Sequence, residues 1–361
     1  MRIFQASSLP SDYLLAIRRR DGEHTSFAER SRMFINDGYG SAHLLLPVLR
    51  GESTAFFANG NDHYGQCLWA RENGLSASAS EQTILLAQIE AHRTEVFYNL
   101  DPVRYGSSFV KRLPGCVRRS LCWRAAPSSG ADFAAYDLVL GNFAGILKKW
   151  RDQGCNTKYF SPAWDMEKEE ICKVSSRAID VAFVGSYSSL HRRRNQILDR
   201  IAKMHPEWNI VYCLTTSKRT RIANTLQGIF SILSEFKQSP DLQRVLRPPV
   251  YGRALHSMLR NAKIVLNAHG EIAGIERGNM RCFEATGCGA LLVSDRGQYP
   301  KGFDAGRNYI DYATPDEAKQ KISYILKNCD ERHHIAASGM HLMRTHYSKS
   351  QQWIDFKNIA E

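Results

Sequence analysis

Short runs of β-branched and aromatic residues alternate along this chain with longer stretches whose apolar positions recur every three to four residues. That rhythm predicts α/β structure, parallel sheets with crossover helices. In the first half, strands are expected at Arg2–Gln5, Ala55–Ala58, Val96–Asn99, Leu138–Leu140 and Thr157–Phe160. SEQTILLAQIEAHR (80–93) reads as a helix, with Ser78 and Glu81 spaced as a capping box at its start. Phe143, Ile146, Leu147 and Trp150 fall at i, i+3, i+4 and i+7 on one helix face, and Gly154 is placed to stop that helix. Pro47, inside the otherwise helical stretch 41–50, predicts a short or kinked helix there.

The second half repeats the pattern. Strands are expected at Val181–Val184, Ile210–Leu214, Ile264–Asn267 and Leu291–Val293, and helices at about 192–204, 221–237, 251–261, 279–287 and 315–328. Ile222, Leu226, Ile229, Leu233 and Phe236 form the core stripe of the second of these helices. Thr314, Pro315 and Glu317 give the last one an N-cap, a first-turn proline and a capping glutamate. SPAWDMEKEE (161–170) breaks both patterns and reads as the link between halves; SKSQQWIDFKNIAE (348–361) reads as a closing helix with Trp353, Phe356 and Ile359 on its apolar face. A chain of 361 residues is long enough to split into two cores.

Composition adds constraints. With 43% apolar and 23% charged residues the chain is globular in type, and its longest apolar stretches are too short to span a bilayer. The N-terminus, MRIFQASSLPSDYLLAIRRR, lacks the basic-then-apolar order of a signal peptide, so a cytoplasmic location is expected. Nine cysteines without a CxxC spacing fit a reducing compartment, and no metal ligand set is expected. The net charge of +12 favours anionic partners. The clusters Arg18–Arg20, Lys111–Arg124 and Arg192–Arg194 lack the aromatic interleaving of a single-strand groove, so nucleic acid is not an expected partner; peripheral contact with the inner face of a membrane is compatible with the basic surface.

Two such halves place ligands beyond the carboxyl ends of strands. In VAFVGSYSSLHRRRNQIL (181–198) a strand ends at Gly185 and Ser186 and meets a basic helix start at Arg192, a suitable seat for a phosphate. It is neither a dinucleotide fingerprint nor a P-loop. In AKIVLNAHGEIAGIERGNMRCFEATGCGALLVSD (262–295) a strand ends at Asn267 and a polar loop carries His269 and Glu276. A helix then opens at Asn279. Arg281 and Glu284 share one of its faces and are expected to look outward, the carboxylate toward a ribose and the guanidinium toward a phosphate. An internal Arg–Glu pair stapling the helix is the other reading of the same spacing.

N-M-R-C-F-E-A-T-G-C-G-A-L-L-V-S-D (279–295) resembles the C-terminal motif of the CgeB-like glycosyltransferases, a group of GT-B enzymes. D-V-A-F-V-G-S (180–186), Y-x-x-x-L-x-x-x-L-R-N-A-K-I-V-L-N-A-H (251–269), K-I-S-Y-I-L-K-N (321–328), Y-D-L-V-L-G-N (136–142), G-C-N-T-K-Y-F-S-P-A-W-D (154–165) and N-G-N-D-H-Y-G-Q-C-L-W-A-R-E-N-G-L (59–75) are similar to further parts of that family. The resemblance implies a GT-B fold: two Rossmann-like domains facing a central cleft, at 1–163 on the acceptor side and 164–345 on the donor side, with 346–361 a helix crossing back to the N-domain. It implies transfer of a sugar from a UDP- or GDP-linked donor to a glycan, lipid-linked or protein acceptor, metal-independent and with retention of configuration. Gly185, Ser186, Arg192, Asn267, His269, Asn279, Arg281 and Glu284 would hold the donor. Arg281 and Glu276 are the implied catalytic residues, although Arg277–Gly278–Asn279 stands where many retaining enzymes carry Gly-aromatic-Gly. An inverting reaction would need a base, for which Asp62–His63 or Asp101 are candidates, and Gly38–Tyr39–Gly40 is a candidate loop near the donor sugar. An inactive GT-B binding or assembly subunit and a nucleotide-sugar epimerase share the same pattern.

Overall fold

A computed structural model describes residues 1–21, 26–76, 78–166, 176–188, 191–225, 236–271 and 274–361. The chain divides into two units, one of Met1–Pro162 with Lys349–Glu361 and the other of Ala163–Ser348. Among the described residues each unit is built on a six-stranded, wholly parallel sheet. The first unit has β1 (Ile3–Ser7), β2 (Ala55–Asn59), β3 (Val96–Asn99), β4 (Arg119–Trp123), β5 (Leu138–Gly141) and β6 (Thr157–Tyr159), in the order β2-β1-β3-β4-β5-β6.

The second unit has β7 (Ile179–Tyr187), β8 (Ile210–Thr216), β9 (Leu246–Arg247), β10 (Ala262–Asn267), β11 (Leu291–Asp295) and β12 (Ile310–Tyr312), in the order β12-β11-β10-β7-β8-β9. Both faces of this sheet are covered, which is why its strands read as near-continuous apolar runs. Val181, Phe183, Ile264, Leu266, Leu291 and Val293 pack in one layer with Ile197, Ile201, Ile322 and Ile325. The alternate residues Ala182, Val265 and Leu292 pack in the other with Leu259, Phe283, Leu342 and Tyr347. The chain builds outward from β7 through β8 to β9, then returns to add β10 on the opposite side. Strand order therefore reverses between β7 and β10, where a parallel sheet opens a crevice at its carboxyl ends.

Several elements differ from expectation. The helix Glu81–Ala91 is capped by Ser80, whose side chain accepts from the Thr83 N–H, and not by Ser78. β4, β9 and β12 were not anticipated, nor was the helix Cys329–His346. β7 continues through Gly185 and Ser186 to Tyr187. Pro47 sits in the first turn of a four-residue helix, Leu46–Leu49. Of the stripe expected from Ile222 to Phe236, Ile222 is exposed on a helix that spans only Lys218–Ala223, while Leu226 to Leu233 and the acidic part of the expected link, 167–170, lie outside the described residues.

The second unit begins and ends at one place. Trp164 N–H donates to Tyr347 O at 2.7 Å, and Trp164 bridges Ser348. The Trp164 indole lies against Gly287, where a Cβ would overlap the ring. The last helix, Lys349–Ala360, belongs to the first unit, with Phe356 packed among Tyr98, Phe160 and Leu140. Its Lys349 ammonium is buried and donates to Ala42 O (2.9 Å), Leu44 O (2.8 Å) and Gln352 Oε1 (2.8 Å). Lys349→Ala is expected to lower the stability of the first unit by about 2–4 kcal/mol, since it strands buried carbonyls and removes charge-assisted bonds. Urea unfolding followed by hydrogen exchange in β1 and β3 measures it.

Candidate active site

The crevice between β7 and β10 gathers residues from three strand ends and two helices. β10 ends at Asn267 and β11 at Asp295, while the helices Arg192–Ala202 and Met280–Gly287 start from the loops after β7 and β10. Asn267 is buried, and its Nδ2 donates to Asn279 Oδ1 (3.2 Å) and Ser294 Oγ (3.0 Å). Asn279 Nδ2 returns a bond to Asn267 Oδ1 at 3.2 Å. Asn279 is the N-cap of the Met280–Gly287 helix, yet its side chain makes no capping bond because this amide pair occupies it.

His269, from the polar loop, holds the backbone immediately before the helix. Its Nε2 accepts from the Gly278 N–H at 3.0 Å and the Asn279 N–H at 3.3 Å. Its Nδ1 and its backbone N–H both face Asp295 Oδ1, at 2.7 and 3.0 Å. The second Asp295 oxygen is ion-paired with Arg277, 2.8 Å from its Nε, and that Nε donates to the Asp295 backbone carbonyl at 3.3 Å. Arg277 Nη1 in turn donates to Gly274 O (2.8 Å) and Glu276 O (2.9 Å). All three side chains are buried. Burial is the largest influence on His269 and holds its pKa below the usual histidine value, against the opposing pull of Asp295. For Asp295, burial acts upward, but the His269 hydrogen bonds and the Arg277 charge outweigh it and keep the carboxyl below its ordinary range. Gly278 has φ +108°, a conformation that excludes side chains and sets the approach to the helix.

Arg281 and Glu284 form an ion pair, Nη1 to Oε2 at 2.6 Å. The expectation that both look outward is corrected here: the Glu284 side chain is only 1% exposed and that of Arg281 14%. An i, i+3 spacing lets the guanidinium fold over the carboxylate, which desolvates both. Burial, ahead of the opposing Arg281 charge, pushes the Glu284 carboxyl above its usual range. The pair is incomplete, because Glu284 Oε1 and Arg281 Nε are buried with no hydrogen-bond partner. Glu276 lies half-buried on the approach, its segment bridged to Gln298.

The three arginines after β7 divide their work. Arg192 is exposed and makes no side-chain hydrogen bond among the described residues. Arg193 reaches Ala313 O at 3.0 Å. Arg194 turns into the crevice, with Nε on Ala268 O (2.9 Å) and Nη1 near Ser186 Oγ (3.4 Å), so it joins β7 to the loop after β10. Gly185 lies in the strand with the Phe183 ring against it. Glu271 caps the Arg192–Ala202 helix in trans, accepting from the Arg193 N–H at 3.1 Å and facing His191 Nδ1 at 3.0 Å. Sequence reasoning gave no site role to Asp295 or Arg277 and took Arg194 only as part of the Arg192–Arg194 cluster. A strand ending in aspartate and a third consecutive arginine were the only signals.

In the first unit, both Asp62 oxygens accept from the Arg30 guanidinium, Nη2 to Oδ1 at 2.6 Å, and both side chains are buried. Arg30 also lies over the Phe34 and Tyr64 rings, 5.1 and 4.8 Å from their centroids. The Asp62 lone pairs are thus committed to a fixed cation. His63 is exposed at the start of the next helix, with Nε2 3.6 Å from Cys67 Sγ. Asp101 is half-buried, 3.6 Å from Arg104 Nε. Gly38 and Gly40 have φ +74° and +65°, and Tyr39 between them stacks on Tyr13 at 4.5 Å. Among the described residues no group of three or more His, Cys, Asp or Glu could hold a metal ion, and no helix is long and apolar enough to cross a membrane.

Residues 193–357 match a sequence family described as glycosyl transferase-like. No curated protein matches the chain by sequence. Among solved structures, Anabaena Alr3699/HepE, crystallised in complex with UDP and glucose, aligns with a TM-score of 0.61 at 11% identity over 99% of each chain. A glycosyltransferase from Rickettsia africae ESF-5 aligns with a TM-score of 0.58 at 9% identity, over 99% of this chain and 97% of its own. With its two Rossmann-like parallel sheets and these end-to-end likenesses, the chain has the GT-B fold.

Proposed function

We propose that the protein is a CgeB-like glycosyltransferase that moves a sugar from a UDP- or GDP-linked donor to a glycan, lipid-linked or protein acceptor with retention of configuration. One observation carries the reading: Glu284 Oε1 and Arg281 Nε are buried and unpartnered on the helix that follows β10. A buried carboxylate oxygen without a donor is costly unless a ligand supplies one, and a ribose hydroxyl would do so. The family match over 193–357 includes these residues, and a structure of the same fold was crystallised in complex with UDP-glucose.

In this reading Glu284 accepts from the ribose, while Arg281, Arg194 and the start of the Met280–Gly287 helix meet the diphosphate. The bond from the anomeric carbon to the phosphate oxygen breaks, and negative charge collects on the leaving diphosphate, where the arginines stabilise it. The acceptor oxygen bonds to the same face of that carbon and its proton passes to the departing phosphate, so no separate side-chain base is required. Glu276 borders the sugar.

Arg194 is the inward arginine of its cluster and Arg192 the outward one. Arg194→Ala is expected to weaken UDP or GDP binding about tenfold or more, and Arg192→Ala less than about threefold. Calorimetry with both nucleotides reads this, and a donor screen by nucleotide release, with product stereochemistry by NMR, tests the reaction. A parent protein that binds no nucleoside diphosphate and releases none from any donor would end this reading.

A further inference from the structure

We infer that His269 is the positioning residue of this site: a neutral imidazole, oriented by Asp295, that holds the Gly278 and Asn279 N–H groups just ahead of the Met280–Gly287 helix and so fixes the helix start on which donor binding depends. The inference deepens the proposed donor site and rests on it for its functional arm.

The N-cap side chain, Asn279, is engaged with Asn267 and the Cys282 thiol and supplies no acceptor to a backbone N–H of the helix start. The Gly278 and Asn279 N–H groups both donate to His269 Nε2. That nitrogen can accept only if it carries no proton. The other nitrogen, 2.7 Å from Asp295 Oδ1, must then be the donor. The two contacts together require the Nδ1–H tautomer. Asp295 is fixed from its far side by Arg277, whose other nitrogen holds the Gly274 and Glu276 carbonyls. Ring, carboxylate and guanidinium thus clamp the segment from Gly274 to Asn279 at both ends, and that segment leads directly to Arg281 and Glu284.

Protonation would convert Nε2 from acceptor to donor and set it against two N–H groups. The groups facing the ring are Asp295 at the end of β11, Arg277 before the helix, Arg194 from the Arg192–Ala202 helix, the Asn267 amide nitrogen 3.4 Å from Nδ1 and farther than Asp295, the Cys282 thiol at 3.9 Å and the edge of Tyr299, with Tyr312 bonded to the Asn267 carbonyl close by. Both arginines and burial favour the neutral ring; Asp295 opposes them. With its folded pKa below 6.5, His269 is neutral at pH 7, and the helix start loosens as pH falls through the folded value.

Three measurements test this on the full chain. Long-range proton–nitrogen NMR at pH 7 is expected to show Nε2 as the unprotonated nitrogen of His269; a protonated Nε2 overturns the proposal. Amide exchange at Gly278 and Asn279 is expected to speed up about tenfold or more in His269→Ala and to recover partly in His269→Gln, whose carbonyl can accept again. Unchanged exchange in His269→Ala overturns it. UDP affinity, with GDP run in parallel, is expected to fall toward acid pH in the parent and to lose that dependence in His269→Gln. An identical pH profile in the two proteins refutes the positioning role. If the parent binds neither nucleotide, the donor reading fails on that ground, while the NMR and exchange results still decide the tautomer and the hold on Gly278 and Asn279.

Discussion

Glu284→Ala is expected to reduce donor turnover about a hundredfold or more, the loss of charge-assisted bonds to a ribose at roughly 1.5–3 kcal/mol each. Nucleotide-release kinetics measure it, and UDP or GDP titration should show the same loss in affinity. The conservative Glu284→Gln separates ligand binding from folding, because its amide oxygen still faces Arg281 Nη1. The Glu284 carboxyl has its pKa raised by burial, so the native state holds that proton more tightly than the unfolded chain does. This contribution is fully present below the ordinary value of 4.5 and is lost as pH rises through the folded value. Glutamine has no such loss. The difference in Tm between Glu284→Gln and the parent should therefore move in the variant's favour as pH rises above about 4.5. A variant that binds donor poorly while gaining relative stability marks a carboxylate kept for its ligand. If Glu284→Ala turned over donor within a few-fold of the parent, Arg281 and Glu284 would be only an internal staple.

Asp295→Ala should be the most damaging single change to the second unit, costing about 3–5 kcal/mol. It removes two hydrogen bonds from His269 and the ion pair with Arg277, and strands the Arg277 side chain, which is 5% exposed, without its anion. Chemical denaturation with hydrogen exchange in β10 and β11 resolves this loss from the behaviour of the first unit. Both titrating partners weaken the unit in acid. His269, depressed below 6.5, contributes stability that is present above that value and lost as pH falls through its folded pKa. Asp295, depressed below 3.8, contributes stability that is lost at still lower pH. Asp295→Asn should remove the second, more acidic step and keep the imidazole in place. An Asp295→Ala protein as stable as the parent would mean that the buried triad adds nothing to the fold.

The alternation of apolar runs made both sheets legible, because fully covered parallel strands have to be apolar on both faces. Val96–Asn99 forms a strand with the bounds its composition suggests. Arg119–Trp123 escaped notice since Arg118 and Arg119 made it look like part of a basic surface, although Leu121 and Cys122 are fully buried. Cys329–His346 has a buried side of helical spacing in which Arg332, Ala336 and Gly339 alternate with Ile335, Leu342 and Met343, so its apolar period is diluted. In the site, Glu284 and Arg281 stood out as charges in a small-residue segment. Their inward turn did not, because burial of an ion pair depends on packing that spacing leaves open. Asp295 and Arg277 lie 18 positions apart, and their ion pair exists only once β11 is laid beside β10. Arg194 differs from Arg192 only by its place on the helix, which turns one side chain inward and the other to solvent.

The junction at Trp164 and Ser348 has a topological meaning. Because entry and exit are bridged to each other, residues 163–348 form an insertion whose ends already meet. The closing helix then continues the first unit as though nothing intervened, and the insertion's length adds little to the entropy of bringing that helix home. A first unit rejoined by a short connection from Pro162 to Lys349 is expected to keep its β-sheet and the helix anchored by Phe356 and Lys349, which circular dichroism and hydrogen exchange would check. Evolution or design could exchange the inserted half as a cassette without recutting the host.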